Sequence, residues 1–254
     1  MTRTSLQDNS GKRTSKAAVR QWPGLEQDAT DTVLEDALAV ARTALLSLQK
    51  ADGHWCFPLE ADCTIPSEYV LMMHFMNDVD VDLEVRLARF VREQQDPEHG
   101  GWALYYGGHF DLSCTIKAYY ALKIVGDSPD APHMVRARTA ILAHGGAARG
   151  NSFTRILLAM WGQIPWRGVP FMPVEIILLP HWFPFHLSKI AYWSRTVTVP
   201  LTILCSLKAC AANPRNINIP ELFTVPAEDE RDYFPVRTTL NRLFLLIERT
   251  ASLF

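Results

Sequence analysis

The sequence predicts an all-α protein assembled from stacked helical units. A short motif that begins with glutamine and ends with tryptophan occurs twice, as QKADGHW at 49–55 and as QDPEHGGW at 95–102. Each copy follows a segment with helical periodicity, and repeated helical units are typical of folds in which neighbouring helices bury a common core. No stretch alternates apolar and polar residues for long enough to indicate a sheet.

Each position of the repeated motif has a physical role at the end of a helix. A glutamine amide can bond backbone groups of a neighbouring helix, a glycine permits the positive φ that ends a helix, and a tryptophan buries a large ring. We call each copy a staple and expect it to hold structure without doing chemistry. The staple residues are Gln49, Gly53 and Trp55 in the first copy and Gln95, Gly100 and Trp102 in the second.

The composition bounds the class of protein. With 254 residues, 48% of them apolar, the chain can form one large domain or two small ones with a sizeable core. The net charge of -2, without a cluster of lysine and arginine, argues against a nucleic-acid partner. Five cysteines without a CxxC pair predict reduced thiols and no zinc site. No metal, nucleotide or other cofactor is expected.

The amino-terminal segment lacks the features of a targeting signal. Residues 1–21 carry five basic side chains but no apolar core, so they do not form a secretory signal. No uncharged run reaches the roughly 18 to 20 residues that a membrane-spanning helix needs. We therefore expect a disordered leader at 1–28 and a folded region at 29–254.

Apolar residues that recur every three to four positions predict eight helices. Asp31 and Asp111 are candidate N-caps, Pro66 suits a first helical turn, and Gly126 can end a helix. The expected helices are 32–48, 67–76, 83–94, 112–124, 131–144, 152–162, 187–212 and 239–249. The polar segment 214–232 is expected to be a surface loop.

An acidic cluster with the sequence DVDVD precedes the third of these helices. Asp78, Asp80 and Asp82 are candidates for catalytic carboxylates, but residues two apart do not share a helix face. Asp80 as an N-cap, with Asp82 in the first turn, suits the helix dipole. Helix capping is therefore the favoured interpretation.

Two segments are unusually apolar for a soluble surface. Residues 165–184 are nearly uncharged and are broken by five prolines, so they must be covered by the core, by a membrane or by another part of a longer chain. In the helix 187–212, periodicity alone predicts a core-facing stripe. Its members are Trp193, Val197, Pro200, Leu201 and Leu204. The amphipathic helix at 239–249 ends the chain and suggests truncation, or a helix that needs another surface.

Longer sequence segments resemble one enzyme family. The two staples resemble the QW motifs of triterpene cyclases. Four segments are similar to the amino-terminal part of bacterial squalene-hopene cyclases: FPLEADCTIPSEYVLMMH, GGWALYYGG, SFTRILLAMWGQIPWRGVP and MPVEIILLPHWFPFHLSKIAYWSRTV. The resemblance covers roughly residues 30 to 225. It implies two α/α-barrel domains around a central cavity, of which this chain would form part of one barrel.

The resemblance also implies an activity and candidate site residues. Members of the family are monotopic membrane enzymes, commonly homodimers, that fold squalene into hopene or hopanol. Trp193 matches a cavity tryptophan, Glu68 in IPSEY matches a glutamate near the cavity, and Ile190 falls where the family narrows its substrate entrance. Protonation of an alkene needs a strong, dry acid, and the resulting cations need aromatic faces. A cation–π role favours cavity lining over core packing for Trp193.

One departure from the family limits the expected activity. The family's protonating acid lies in a D-x-D-D motif of the carboxy-terminal half, and Asp78, Asp80 and Asp82 cannot replace it. The chain is therefore expected to be the amino-terminal region of a cyclase, without a catalytic acid of its own and inactive alone. Its expected partners are squalene or a related polyprene, a membrane surface, and a second copy or a carboxy-terminal half. Its expected location is the cytoplasmic side of a bacterial inner membrane.

Other functions stay open at this point. The main alternative is a non-catalytic helical module, derived from a cyclase, that binds lipid or a protein partner. A glycosidase or a prenyltransferase subunit with an α/α barrel is less favoured. The first needs two convergent carboxylates and the second needs zinc ligands, and neither set is apparent.

Overall fold

A computed structural model describes residues 27–57, 62–184 and 186–234, and it is all-helical in these ranges. The chain divides into two compact units, Met1–Leu59 and Glu60–Phe254. Helix α1 belongs to the first unit and helices α2 to α7 to the second. The helices are α1 Gln27–Ser47, α2 Thr64–Met76, α3 Val81–Glu93, α4 Leu112–Val125, α5 Pro132–Ala143, α6 Ser152–Met160 and α7 Tyr192–Leu207.

Helix α1 begins earlier than the sequence pattern predicts. It starts at Gln27, so the prediction that Asp31 is its N-cap is wrong. No glycine or proline stands between these two residues, and nothing in the local sequence obliges the helix to start later. The predicted leader at 1–28 lies outside the described residues except for its last two, which are helical. The predicted helix 239–249 also lies outside the described residues.

The predicted end groups of α3 and α4 are confirmed. A carboxylate oxygen of Asp80 accepts a hydrogen bond from the backbone N–H of Leu83 at 3.0 Å. Asp111 accepts in the same way from Cys114 at 2.7 Å. Gly126 ends α4 with a φ of 122°, which favours glycine. The acidic cluster before α3 therefore supplies a helix cap, as its spacing predicts.

Helix α4 is the centre of the second unit. Eleven of its 14 residues are buried, and it contacts α2, α3, α5 and α6. A helix covered on all sides carries its polar groups into the core, where they need partners. The hydroxyl of Tyr119 donates to the carboxylate of Glu221 at 2.8 Å, and that of Tyr120 donates to the carbonyl of Ile217 at 3.2 Å.

The segment 214–232 is more deeply buried than a surface loop. Ile219 and Leu222 are fully buried, so the prediction for this segment is wrong in its middle part. The side-chain amide of Gln163 fixes the segment by donating to Asn218 and by accepting from the backbone N–H of Ile219, both at 2.9 Å. Its polar composition hides the two apolar residues that anchor it, because they do not follow a helical or strand period.

The second staple joins the end of α3 to α5. The Gln95 amide nitrogen donates to the carbonyl of Gly100, five residues on, and to that of His133 in α5, both at 2.8 Å. The Gln95 amide oxygen accepts from the Arg136 guanidinium at 2.7 Å. Gly100 has a φ of 73°, in the left-handed region. The amide of Gln95 therefore uses both of its ends to bond α5.

The tryptophan of the second staple links α3 to α4. Trp102 is 1% exposed, and its indole N–H donates to the carbonyl of Val91 in α3 at 2.7 Å. Its backbone N–H donates to the hydroxyl of Thr115 in α4 at 3.0 Å. The ring thus fills the core while its polar edge satisfies a backbone group.

The first staple repeats the local bonds within its own unit. Gln49 donates to the carbonyl of Gly53 at 2.7 Å, and Gly53 has a φ of 90°. The indole N–H of Trp55 donates to the carbonyl of Leu45 in α1 at 2.7 Å. The two copies therefore share one geometry: a glutamine that closes the turn and a tryptophan that bonds back to the preceding helix.

The long helix predicted at 187–212 is shorter in the structure. A 3₁₀ turn covers Leu187–Lys189, α7 covers Tyr192–Leu207, and Lys208 ends it with a φ of 48°. The backbone N–H of Ser188 donates to the His186 ring, and this local bond competes with helix formation. The predicted core-facing stripe is also only partly correct. Leu201 packs against the core, but Trp193, Val197 and Pro200 are exposed.

Asp127 forms a second polar junction beside the second staple. Arg92 of α3 donates to both carboxylate oxygens, at 2.6 and 2.8 Å, and His133 of α5 lies 2.7 Å away. Burial by itself raises the pKa of the Asp127 carboxyl, but the bonds from Arg92 and His133 outweigh it and leave this pKa below its usual value. The junction therefore stabilises the fold through an ionised carboxylate.

The staple geometry predicts unequal effects of two matched substitutions. Gln95→Met removes the bonds to α5 and leaves part-buried groups unpaired, so we expect the free energy of unfolding to fall by about 1 to 3 kcal/mol. Gln49→Met removes one hydrogen bond at an exposed position, so it should lower the free energy of unfolding by less. Urea unfolding followed by circular dichroism measures both. Equal losses would contradict the role assigned to the contact with α5.

The Asp127 junction predicts a loss of stability in acid. Because the folded pKa is lower than the unfolded one, the stabilisation is present above the unfolded pKa and is lost as the pH falls through the folded pKa. Between about pH 7 and pH 3, the difference in unfolding free energy between the parent chain and Asp127→Asn should shrink. A difference that stays constant over this range would refute the assignment.

Candidate functional site

Glu68 stands on α2, where it forms an ion pair with α4. The Nζ atom of Lys117 lies 2.6 Å from a carboxylate oxygen of Glu68. The lysine side chain is 5% exposed and the glutamate side chain is 42% exposed. The pair therefore spans the boundary between the core and an open face of the second unit.

Two thiols lie near the amino-terminal ends of the same helices. Cys63 immediately precedes α2 and Cys114 is in the first turn of α4, and both are buried. Burial raises the pKa of Cys63 to about 12 and that of Cys114 to about 11. Neutral buried thiols of this kind are poor nucleophiles and poor metal ligands, so they are core residues.

Ile190 and Trp193 are three residues apart in sequence, with Ile190 just before α7 and Trp193 in its first turn. Trp193 is 80% exposed, and its ring meets that of Tyr192 edge to face at a centroid distance of 6.3 Å. Ile190 is half-buried, and its backbone is extended where it follows the turn Leu187–Lys189. An indole with a free face in this position can contact an apolar molecule or a cation.

Further apolar side chains are exposed on the elements beside α7. The 3₁₀ turn Val174–Leu178 contacts α7, and the Nζ atom of Lys189 donates to the carbonyls of Trp182 and Phe183 at 3.3 and 2.9 Å. Six large apolar side chains in the stretch 171–193 are exposed, and we call them together the apolar surface: Phe171, Ile177, Leu178, Trp182, Tyr192 and Trp193. Such a concentration of exposed apolar groups is typical of a binding surface.

The structure brings some of the predicted site residues together and leaves others apart. Ile190 and Trp193 share the start of α7, whereas Glu68 is paired with Lys117. Within the described ranges, no hydrogen bond, ion pair or ring contact joins Glu68 to Trp193. Their roles at a substrate cavity and its entrance therefore stay predictions.

Sequence reasoning missed Lys117. This residue is the one charged residue in the stretch LSCTIKAYY of α4, and a charge inside a buried helix requires a partner. That mismatch was visible in the sequence, but the identity of the partner was not, because Glu68 lies on another helix.

Among the residues that the structure describes, no group of three or more histidine, cysteine, aspartate or glutamate side chains could hold a metal ion. No helix in the same ranges is long and apolar enough to cross a membrane.

Comparison with known proteins identifies the family. Residues 38–254 match the model of the squalene-hopene cyclase N-terminal domain. The squalene–hopene cyclase of Zymomonas mobilis is 56% identical over 191 residues, which is 75% of this chain and 29% of that protein. The corresponding protein of Bradyrhizobium diazoefficiens is 54% identical over 192 residues, with the same coverage. That of Alicyclobacillus acidocaldarius is 38% identical over 204 residues, or 78% of this chain and 32% of that protein.

These matches establish the fold class and the kind of protein. The chain spans about a third of the length of these relatives or less. The matched domain has the α/α toroid fold of terpene cyclases, and the described residues are helical without strands, so the predicted fold class is confirmed. The relatives are enzymes. The chain belongs to the squalene-hopene cyclase family and corresponds to its amino-terminal domain.

Proposed function

We propose that this chain is the amino-terminal part of an enzyme that cyclises squalene, or a related polyprene, to hopene or hopanol. In this proposal the chain supplies part of the cavity wall and the substrate entrance, and the protonating acid comes from a carboxy-terminal part. The observation that carries the proposal is the exposed Trp193 ring within the apolar surface, in a chain of this family. An indole face stabilises a passing cation without reacting with it.

The proposed chemistry assigns separate tasks to separate residues. Trp193 stabilises positive charge as the polyene folds, and Ile190 narrows the entrance next to it. Glu68 contributes a carboxylate near the cavity. None of these side chains protonates an alkene, because that step needs a carboxylic acid kept neutral in a dry site, whereas Glu68 is paired with an ammonium. The chain alone is therefore inactive in this proposal.

Attachment to a membrane surface is part of the same proposal. Squalene is apolar and resides in lipid, so an enzyme that takes it up benefits from contact with the bilayer interface. Leu178 and Trp182 are 78% and 77% exposed, and they lie on the proline-broken segment that precedes α7. We propose a monotopic protein on the cytoplasmic side of a bacterial inner membrane, in complex with a carboxy-terminal half or with a second copy of the chain.

Reconstitution tests the proposed activity. The chain is incubated with squalene, alone and with a separately expressed carboxy-terminal part of the Zymomonas mobilis relative, and the products are analysed by gas chromatography. We expect hopene from the mixture only. Trp193→Ala should lower its formation by about tenfold or more, because the cation–π contact is lost. Tyr106→Ala, which removes a fully exposed ring elsewhere on the second unit, is the matched control.

Each other result of this experiment has a definite meaning. Hopene from the chain alone would overturn the statement that the acid comes from another polypeptide segment. Absence of product from every tube would favour a non-catalytic module that binds lipid or a protein partner. Equal losses of hopene formation in Trp193→Ala and Tyr106→Ala would contradict the placement of Trp193 in the cavity.

Sedimentation with liposomes tests the proposed membrane contact. We expect the chain to pellet with vesicles, and the double substitution Leu178→Ser with Trp182→Ser should release most of it, because each serine removes a large apolar side chain from the surface. Tyr106→Ser is the control for loss of an exposed aromatic ring. A parent chain that stays wholly in the supernatant counts against the membrane proposal.

A further inference from the structure

The two side chains of the Glu68–Lys117 ion pair differ in burial, and this difference suggests a role for the pair. The ammonium lies inside the core, on a helix covered by four others, and the carboxylate lies at the edge of the same core. A lysine in this position is costly unless an anion accompanies it. A hydrophobic residue of similar length would fill the same space without that cost, so packing alone does not explain the lysine.

The neighbours of Lys117 leave Glu68 as its counter-ion. Cys114 lies one turn earlier on α4, and burial raises its thiol pKa to about 11, so it is neutral near pH 7. Glu68 is the one acidic side chain that forms an ion pair with Lys117 among the described residues. The lysine therefore acts on Glu68 from its buried side and leaves the rest of the carboxylate facing outward.

We propose that Lys117 is a positioning residue for Glu68: its ammonium holds the glutamate side chain in one orientation at the edge of the substrate cavity. This inference rests on the proposed function, since it assumes that Glu68 faces the cavity. Lys117 itself does not contact the substrate. Its effect on the reaction is transmitted through the charge and direction of the Glu68 carboxylate.

The ion pair restrains the orientation of the Glu68 side chain during the reaction. A carboxylate that is free to rotate can approach a cationic intermediate and take its proton at several positions. A carboxylate held at 2.6 Å from an ammonium is restrained. Because the opposite charges of the ion pair largely cancel at a distance, the carboxylate attracts distant cations more weakly. Loss of Lys117 should therefore change which products form, in addition to how fast they form.

The first experiment measures the coupling of the two residues in this chain alone. A double-mutant cycle uses Glu68→Gln, Lys117→Met and the double variant in urea unfolding. Glu68→Gln leaves a buried ammonium unpaired and should lower the folding equilibrium constant by roughly tenfold to a hundredfold. Lys117→Met should change it by less than about tenfold, and the double variant should be more stable than Glu68→Gln.

An exposed ion pair on α3 provides the control. The Arg89 guanidinium lies 2.7 Å from the Glu93 carboxylate, and both side chains are largely in solvent. Arg89→Met should change the folding equilibrium constant by less than about fivefold. If Glu68→Gln and Arg89→Met have equal effects, or if the double-mutant cycle shows no coupling, the inference is wrong.

The second experiment measures the reaction in the assembled enzyme described above. Lys117→Met should change the ratio of cyclised products in the same direction as Glu68→Gln, and the double variant should add nothing further. The kcat should fall while the KM for squalene stays within about twofold, because Lys117 does not bind the substrate. Arg89→Met should leave both the products and the rate unchanged.

The outcomes separate this inference from the proposed function. A coupled pair with an unchanged product ratio in Lys117→Met would show that the pair only stabilises the fold, and it would overturn the inference while the proposed function stands. If the assembled parent enzyme forms no product, the proposed function is wrong. The inference is then wrong as well, because it rests on that function. Matching product shifts in both single variants would support both.

Discussion

The burial of most of α4 is the constraint on which the rest of the second unit depends. The polar side chains of its buried residues cannot reach water, so other elements must bring partners to them. Thr115 bonds the backbone of the second staple, Lys117 pairs with Glu68 of α2, and Tyr119 and Tyr120 bond the segment that contains Ile217 and Glu221. The second staple, α2 and the segment 217–221 are thereby fixed by specific polar contacts as well as by apolar packing.

This arrangement separates the structural surfaces of the unit from the surface available for binding. The buried side chains of α4 contact other parts of the fold. In contrast, the start of α7 and the turns before it expose aromatic and aliphatic side chains. Among the proposed site residues, Glu68 belongs to both, since its carboxylate pairs with Lys117 of α4 and its side chain is 42% exposed. The proposed cavity therefore receives a carboxylate from α2 that is held by α4, and its aromatic faces from α7.

Local chemistry was predictable from the sequence, and long-range pairing was not. The caps Asp80 and Asp111 were identified because they depend on residues three positions away. The break before α7 and the burial of Ile219 depend on contacts that no periodicity encodes. Among the site residues, Glu68, Ile190 and Trp193 came from the family resemblance, whereas the Lys117 partner of Glu68 required the folded structure.

The staples also bear on the order in which the chain acquires its structure. In the second copy, Gln95 bonds Gly100 and Trp102 bonds Val91, contacts that span 5 and 11 residues, whereas the bonds of Gln95 with His133 and Arg136 span 38 and 41. Contacts between near neighbours in sequence form quickly, because little loop entropy opposes them. During synthesis on a ribosome, the local bonds of each staple can therefore close behind its helix before the next helix has emerged.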